Sequence, residues 1–98
     1  MLNYYYSDTI DSFLQKDIET IIGSITLNNR FGNNNNEIFA WENQIKYLKN
    51  ALIGKKGMLF FEFSVPRMGK RIDCLLIIKD LVFVIEFKVG EKDFLRHN

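Results

Sequence analysis

Three charged residues interrupt strongly apolar segments in the last third of this 98-residue chain: Asp73, Glu86 and Lys88. Ionised groups in such surroundings cost free energy unless something compensates them. Their relative placement can be worked out. Arg71–Ile78 and Leu81–Lys88 read as two strands joined at Lys79-Asp80. A tight hairpin centred there pairs residues whose numbers sum to 159, and Asp73 and Glu86 meet that condition. The two carboxylates are then expected on one face, with Cβ atoms roughly 4.5–5.5 Å apart. Lys88 follows Glu86 by two positions and shares that face. A slip of one residue would separate the acids.

Like charges opposed across a ladder repel, so a fold does not keep them for stability. Two converging carboxylates suit a hard divalent cation, Mg²⁺ or Mn²⁺, which takes oxygen ligands. A lysine beside such an ion can orient or help deprotonate a bound water and stabilise charge on a phosphoryl group. The chemistry these parts serve is metal-assisted phosphodiester hydrolysis. The simpler alternative is a salt bridge from Lys88 to one acid at the open end of the hairpin.

Helices must come first along the chain. Ser7 or Asp8 can cap a helix over 8–15 carrying Ile10, Phe13 and Leu14. Asp17 can cap a second over 18–28, where Ile18, Ile21, Ile22 and Ile25 make one stripe. The run Asn33–Asn36 reads as a loop whose last member can cap the next helix. That third helix, 37–53, carries Ile38, Trp41, Ile45, Leu48 and Leu52 and ends at Gly54. Glu42 sits about 80° from the centre of its stripe, between core and solvent.

After Gly57 the period becomes two. Met58–Val65 reads as a strand with Phe61, Phe63 and Val65 on one face and Glu62 opposite, facing either the acidic cleft or water. Pro66 ends it. The next two strands are apolar at nearly every position, the pattern of strands covered on both faces.

Composition narrows the classes. The chain is 47% hydrophobic and 26% charged, which excludes a disordered tail. No apolar run approaches the roughly 18 residues of a membrane helix, and Met1–Tyr6 has no signal-peptide pattern, so a cytoplasmic location is expected. Cys74 is the single cysteine, which precludes a disulfide within the chain. Net charge is +1, yet Lys55, Lys56, Arg67, Lys70 and Arg71 face a single acid, Glu62, between positions 55 and 71. Arg67, Lys70 and Arg71 can hold a phosphate backbone; surface turn residues are the equal alternative.

Asp73, twelve intervening residues and then Glu86-Phe87-Lys88 resemble the motif of the PD-(D/E)XK nuclease superfamily. A helix followed by three strands, the acid in the second and E-x-K in the third, fits that pattern. The strings SVPRMGKRID and VFVIEFKVGEK look more specifically like the N-terminal nuclease-like region of bacterial Schlafen-type DNA/RNA helicases. The resemblance implies Mg²⁺ held by Asp73 and Glu86, with the backbone carbonyl of Phe87 completing the site and Glu42 as the helix glutamate. Ile72 stands where the name-giving proline would be. The superfamily core continues past E-x-K, whereas this chain stops ten residues after Lys88 and has no phosphate-binding G-x-x-x-x-G-K-[ST] loop.

The fold expected is therefore α/β in the α+β sense: N-terminal helices on a three-stranded, mainly antiparallel sheet, the first half of a restriction-endonuclease-like core. The function expected is a Mg²⁺-dependent nuclease-like domain acting on DNA or RNA. The competing expectation is an inactive remnant that binds nucleic acid or assembles. Self-association is expected in either case, because the missing half would otherwise cover apolar strand faces.

Overall fold

The computed structural model describes residues 3–29 and 34–87. In chain order the elements are β1 (Tyr6–Thr9), α1 (Ile10–Gln15), α2 (Ile18–Asn28), α3 (Asn35–Ala51), β2 (Met58–Val65), β3 (Lys70–Ile78) and β4 (Leu81–Ile85). The four strands form one antiparallel sheet in the order β1-β2-β3-β4. The α+β class is as expected from sequence, but the sheet has four strands rather than three.

The extra strand is the tetrapeptide Tyr-Ser-Asp-Thr, which pairs Tyr6 with Phe61 and Thr9 with Met58. It takes Asp8 and Thr9 out of the expected first helix. The cap is consequently Thr9, whose side chain accepts from Ser12 N–H at 3.1 Å, and not Ser7 or Asp8. Asp8 instead accepts from Tyr6 and Lys16. Asp17 caps α2 through Thr20 N–H at 2.9 Å, as its position predicts. In the asparagine run the cap is Asn34, accepting from Glu37 N–H at 2.8 Å; Asn35 and Asn36 are already helical. The expected cap lay two residues later. Lys49 of α3 donates to the Phe13 and Lys16 carbonyls at the end of α1, satisfying acceptors the short helix leaves open.

The helices contribute Ile10, Phe13, Ile21, Ile25, Trp41, Ile45 and Leu48 to one core. The sheet meets them with Tyr6, Leu59, Phe61, Cys74 and Leu76. Phe61 is the hub: its ring lies 5.9 Å from both Tyr6 and Phe13. Truncating such a residue to alanine costs about 3–5 kcal/mol. No helix among the described residues is long and apolar enough to cross a membrane.

Two strand expectations need correction. Apolar residues at nearly every position of β4 do not mean burial on both faces: Leu81 and Val82 are each 61% exposed, and Val84 is 58% exposed. Among the described residues β4 is the sheet edge, with nothing on its outer side. An apolar groove of about 600 Å³ runs along it, lined by Leu76, Ile78, Phe83, Ile85 and Lys55 among others. The second correction concerns alternation in β2. Glu62 has φ +56°, a left-handed conformation rare for a side-chain-bearing residue. The Phe63 ring consequently packs on Phe60, at 5.8 Å, rather than joining Phe61 in the core.

Candidate functional site

The hairpin that carries the expected acids has the register computed from sequence. All five β3–β4 pairs, from Cys74↔Ile85 to Ile78↔Leu81, sum to 159. Ladder pairing stops at Cys74↔Ile85, one step short of Asp73 and Glu86. The expected strand over 81–88 thus ends at Ile85, and Glu86 and Phe87 lie just beyond it. Their position is nevertheless fixed, because the Phe87 backbone N–H donates to Asp73 Oδ2 at 2.9 Å. The Asp73 carboxylate takes over where the ladder ends. Glu86 is exposed. Lys88 lies outside the described residues.

On its other side Asp73 meets β2. The β2–β3 pairs sum to 135 on both sides of the gap at Glu62, which places Glu62 across from Asp73. The left-handed backbone at Glu62 removes that one pair from the ladder and turns the carboxylate toward α3. There Trp41 Nε1 donates to Glu62 Oε2 at 3.2 Å. Burial raises the Glu62 pKa above its ordinary value; the Trp41 hydrogen bond opposes this, and the charge of Asp73 adds to it. Asp73 also acts on Cys74, whose thiol is pushed up to about 12, chiefly by burial.

Trp41 of α3 thus meets Glu62 of β2, while Asp73, set by alternation on the face opposite the core residue Cys74, is tied to the Phe87 amide. Tyr47 closes the arrangement, its ring 5.9 Å from that of Phe87. Glu42 is half-buried and lies about 140° around α3 from Tyr47, so its side of the helix is not the one that meets Phe87. Glu62 is the acid that sequence reasoning left open between cleft and water. Periodicity could not resolve it, because the left-handed residue breaks the period.

Arg67, Lys70 and Arg71 are exposed in and beside the β2–β3 turn, at the end of the sheet nearest Asp73 and Glu62. Arg71 donates to Tyr5 Oη at 2.6 Å and its guanidinium lies 4.7 Å from the Tyr5 ring. Arg67 and Lys70 project from the same turn. The basic end and the acidic cluster are thus adjacent.

Among the described residues no three His, Cys, Asp or Glu side chains are grouped closely enough to hold a metal ion. The carboxylates that the hairpin register brings toward one another are Asp73 and, one step beyond the ladder, Glu86. A hard divalent cation that keeps several waters needs only one or two carboxylates. Asp73 and Glu86 are oxygen donors of that type.

No family model matches the chain, and neither the curated proteins nor the solved structures contain a match to it.

Proposed function

We propose that the chain is a nuclease-like domain that hydrolyses phosphodiester bonds in DNA or RNA with a divalent cation, Mg²⁺ or Mn²⁺, as the N-terminal piece of a helicase-nuclease. The observations that support this reading are the β3–β4 register, whose next step beyond Cys74↔Ile85 would bring Asp73 opposite Glu86, and the hydrogen bond from the Phe87 amide to Asp73. In this reading Asp73 and Glu86 would hold the metal, with the Phe87 carbonyl as a further ligand. When bound, such an ion would supply Lewis acidity and make a water more acidic.

The chain's own groups do the rest. Lys88 orients the attacking water and offsets charge on the phosphoryl oxygens. A water oxygen bonds to phosphorus, the ester P–O bond breaks, and the departing oxygen is protonated from solvent. Arg67, Lys70 and Arg71 hold the flanking backbone phosphates, which positions the strand without reading its sequence. Glu42 is the helix acid in the superfamily pattern and adds at most a peripheral contact here, given its side of α3.

A second reading is favoured by one observation, the exposed apolar strand β4. In it the chain is a catalytically inactive nuclease-like module that binds nucleic acid or assembles through that edge. A cleavage assay with Mg²⁺ or Mn²⁺ on single- and double-stranded DNA and RNA separates the two. Metal-dependent cleavage lost in Lys88→Ala supports the enzyme. Binding without cleavage supports the module.

A further inference from the structure

The segment Leu81-Val82-Phe83-Val84-Ile85 is nearly a palindrome: read from either end, it presents side chains of the same kind and size. Among the described residues it is the sheet edge, and Leu81, Val82, Phe83 and Val84 are all exposed. A two-residue turn closes the β3–β4 hairpin at Ile78↔Leu81, and hydrogen-bonded pairs alternate along the ladder from the closing one. Leu81, Phe83 and Ile85 therefore direct their backbone groups to β3. Val82 and Val84 direct theirs outward, past the edge.

We propose that two copies of this chain pair antiparallel through β4, centred on Phe83, and join their four-stranded sheets into one. A two-fold axis through the sheet keeps opposed side chains on one face, so it must pass between a residue and its own copy. Centring on Val82 sets Asp80 against Val84 of the second copy. Centring on Val84 sets Glu86 against Val82 of the second copy. Centring on Phe83 opposes five apolar residues to five. Val82 and Val84 of the second copy then exchange both backbone bonds, twice by symmetry. Phe83 meets Phe83 of the second copy in the closer, non-hydrogen-bonded kind of pair, with Cα atoms about 4.5 Å apart. Phe83 shares a face with Leu76, and both line the apolar groove, so the two grooves run together at the axis.

Five side chains a copy supply on the order of half the ~800 Å² per partner of a standard interface, so the dimer is weak and exchanges, with a dissociation constant in the micromolar range or above. The register has one adverse feature. Asp80 and Glu86, both exposed, oppose each other across the copies at each end of the ladder. The proposal rests on the assembly reading, which it deepens by naming the partner and the pairing, and it is independent of cleavage.

Mild oxidation of Phe83→Cys should link two copies, because the Cα atoms of a disulfide lie about 4.4–6.8 Å apart. Val82→Cys and Val84→Cys, each two residues out of register with its own copy, should not link. Wild type, whose one cysteine is buried, is the control. Asp80→Lys turns both end pairs from repulsive to attractive and should tighten self-association by about 3–10-fold in sedimentation. Where Phe83→Cys fails to fold in thermal melts, Asp80→Lys, at an exposed turn position, decides alone. Linkage through Phe83→Cys and tightening by Asp80→Lys uphold the dimer. Preferential linkage through Val82→Cys or Val84→Cys, or no tightening in Asp80→Lys, overturns this pairing and leaves assembly by another geometry standing. A wild-type chain that stays monomeric at millimolar concentration overturns both and leaves the edge to a different chain.

Discussion

Trp41 and Glu62 are joined by a 3.2 Å hydrogen bond across twenty-one residues of sequence, and this contact fixes α3 over the one β2 residue that leaves the ladder. The bond holds a carboxylate opposite Asp73, against the repulsion between them. Glu62→Gln retains an acceptor and discards the charge. In the absence of divalent cation at neutral pH it should be more stable than wild type by roughly 0.5–1 kcal/mol. Denaturant melts followed by Trp41 fluorescence check this.

Asp8 should give the fold an acid-sensitive contact. Partial burial favours its neutral form, but hydrogen bonds from Tyr6 and Lys16 outweigh this and hold its pKa below the ordinary 3.8. A carboxyl whose pKa is depressed on folding stabilises the fold fully above its unfolded value. That contribution disappears as pH falls from about 4 through the lower folded value. Asp8→Asn should cost about 0.5–1 kcal/mol at pH 7, modest because Lys16 is exposed. The variant should lose less stability than wild type between pH 5 and pH 2, as urea melts across that range would record.

Backbone strain gives two substitutions of opposite sign. Lys79 sits at φ +56° in the two-residue turn between β3 and β4, a position that favours glycine. Lys79→Gly should stabilise by about 1 kcal/mol. Gly57, at φ +151°, accepts from Ile10 N–H at 2.9 Å, and a Cβ there would overlap the Ile77 carbonyl. Gly57→Ala should destabilise by about 1–3 kcal/mol or more. Thermal denaturation of the two variants reads both signs.

The β4 edge should make the chain associate. Natural edge strands are guarded by charge, bulges or brevity, whereas Val82 and Val84 lie bare here. Sedimentation should show concentration-dependent oligomers that the pair Val82→Lys and Val84→Lys disperses. A wild-type chain monomeric at high concentration would contradict this.

The hairpin register was legible because two apolar runs joined by a two-residue turn leave one pairing, which holds from Ile78↔Leu81 to Cys74↔Ile85. Asp17 was legible as a cap because only local backbone is involved. Residues Tyr6–Thr9 were not, since four mostly polar residues carry no strand period and their pairing partner lies some fifty residues away. Glu62 was hidden for another reason. Side-chain alternation assumes extended backbone, and a single left-handed residue, stabilised by a tertiary bond to Trp41, cancels the assumption. Exposure of β4 could not be read either, because an apolar run says what a strand can bury and not what is present to cover it.

Cleavage of a labelled oligonucleotide by the purified chain, with and without Mn²⁺, is the most direct measurement. Activity should require the metal and fall by at least about 100-fold in Asp73→Asn, Glu86→Gln and Lys88→Ala, while Glu42→Gln changes little. Cleavage that persists in Lys88→Ala, or that proceeds equally with chelator present, would show that Asp73, Glu86 and Lys88 do not form a hydrolytic centre.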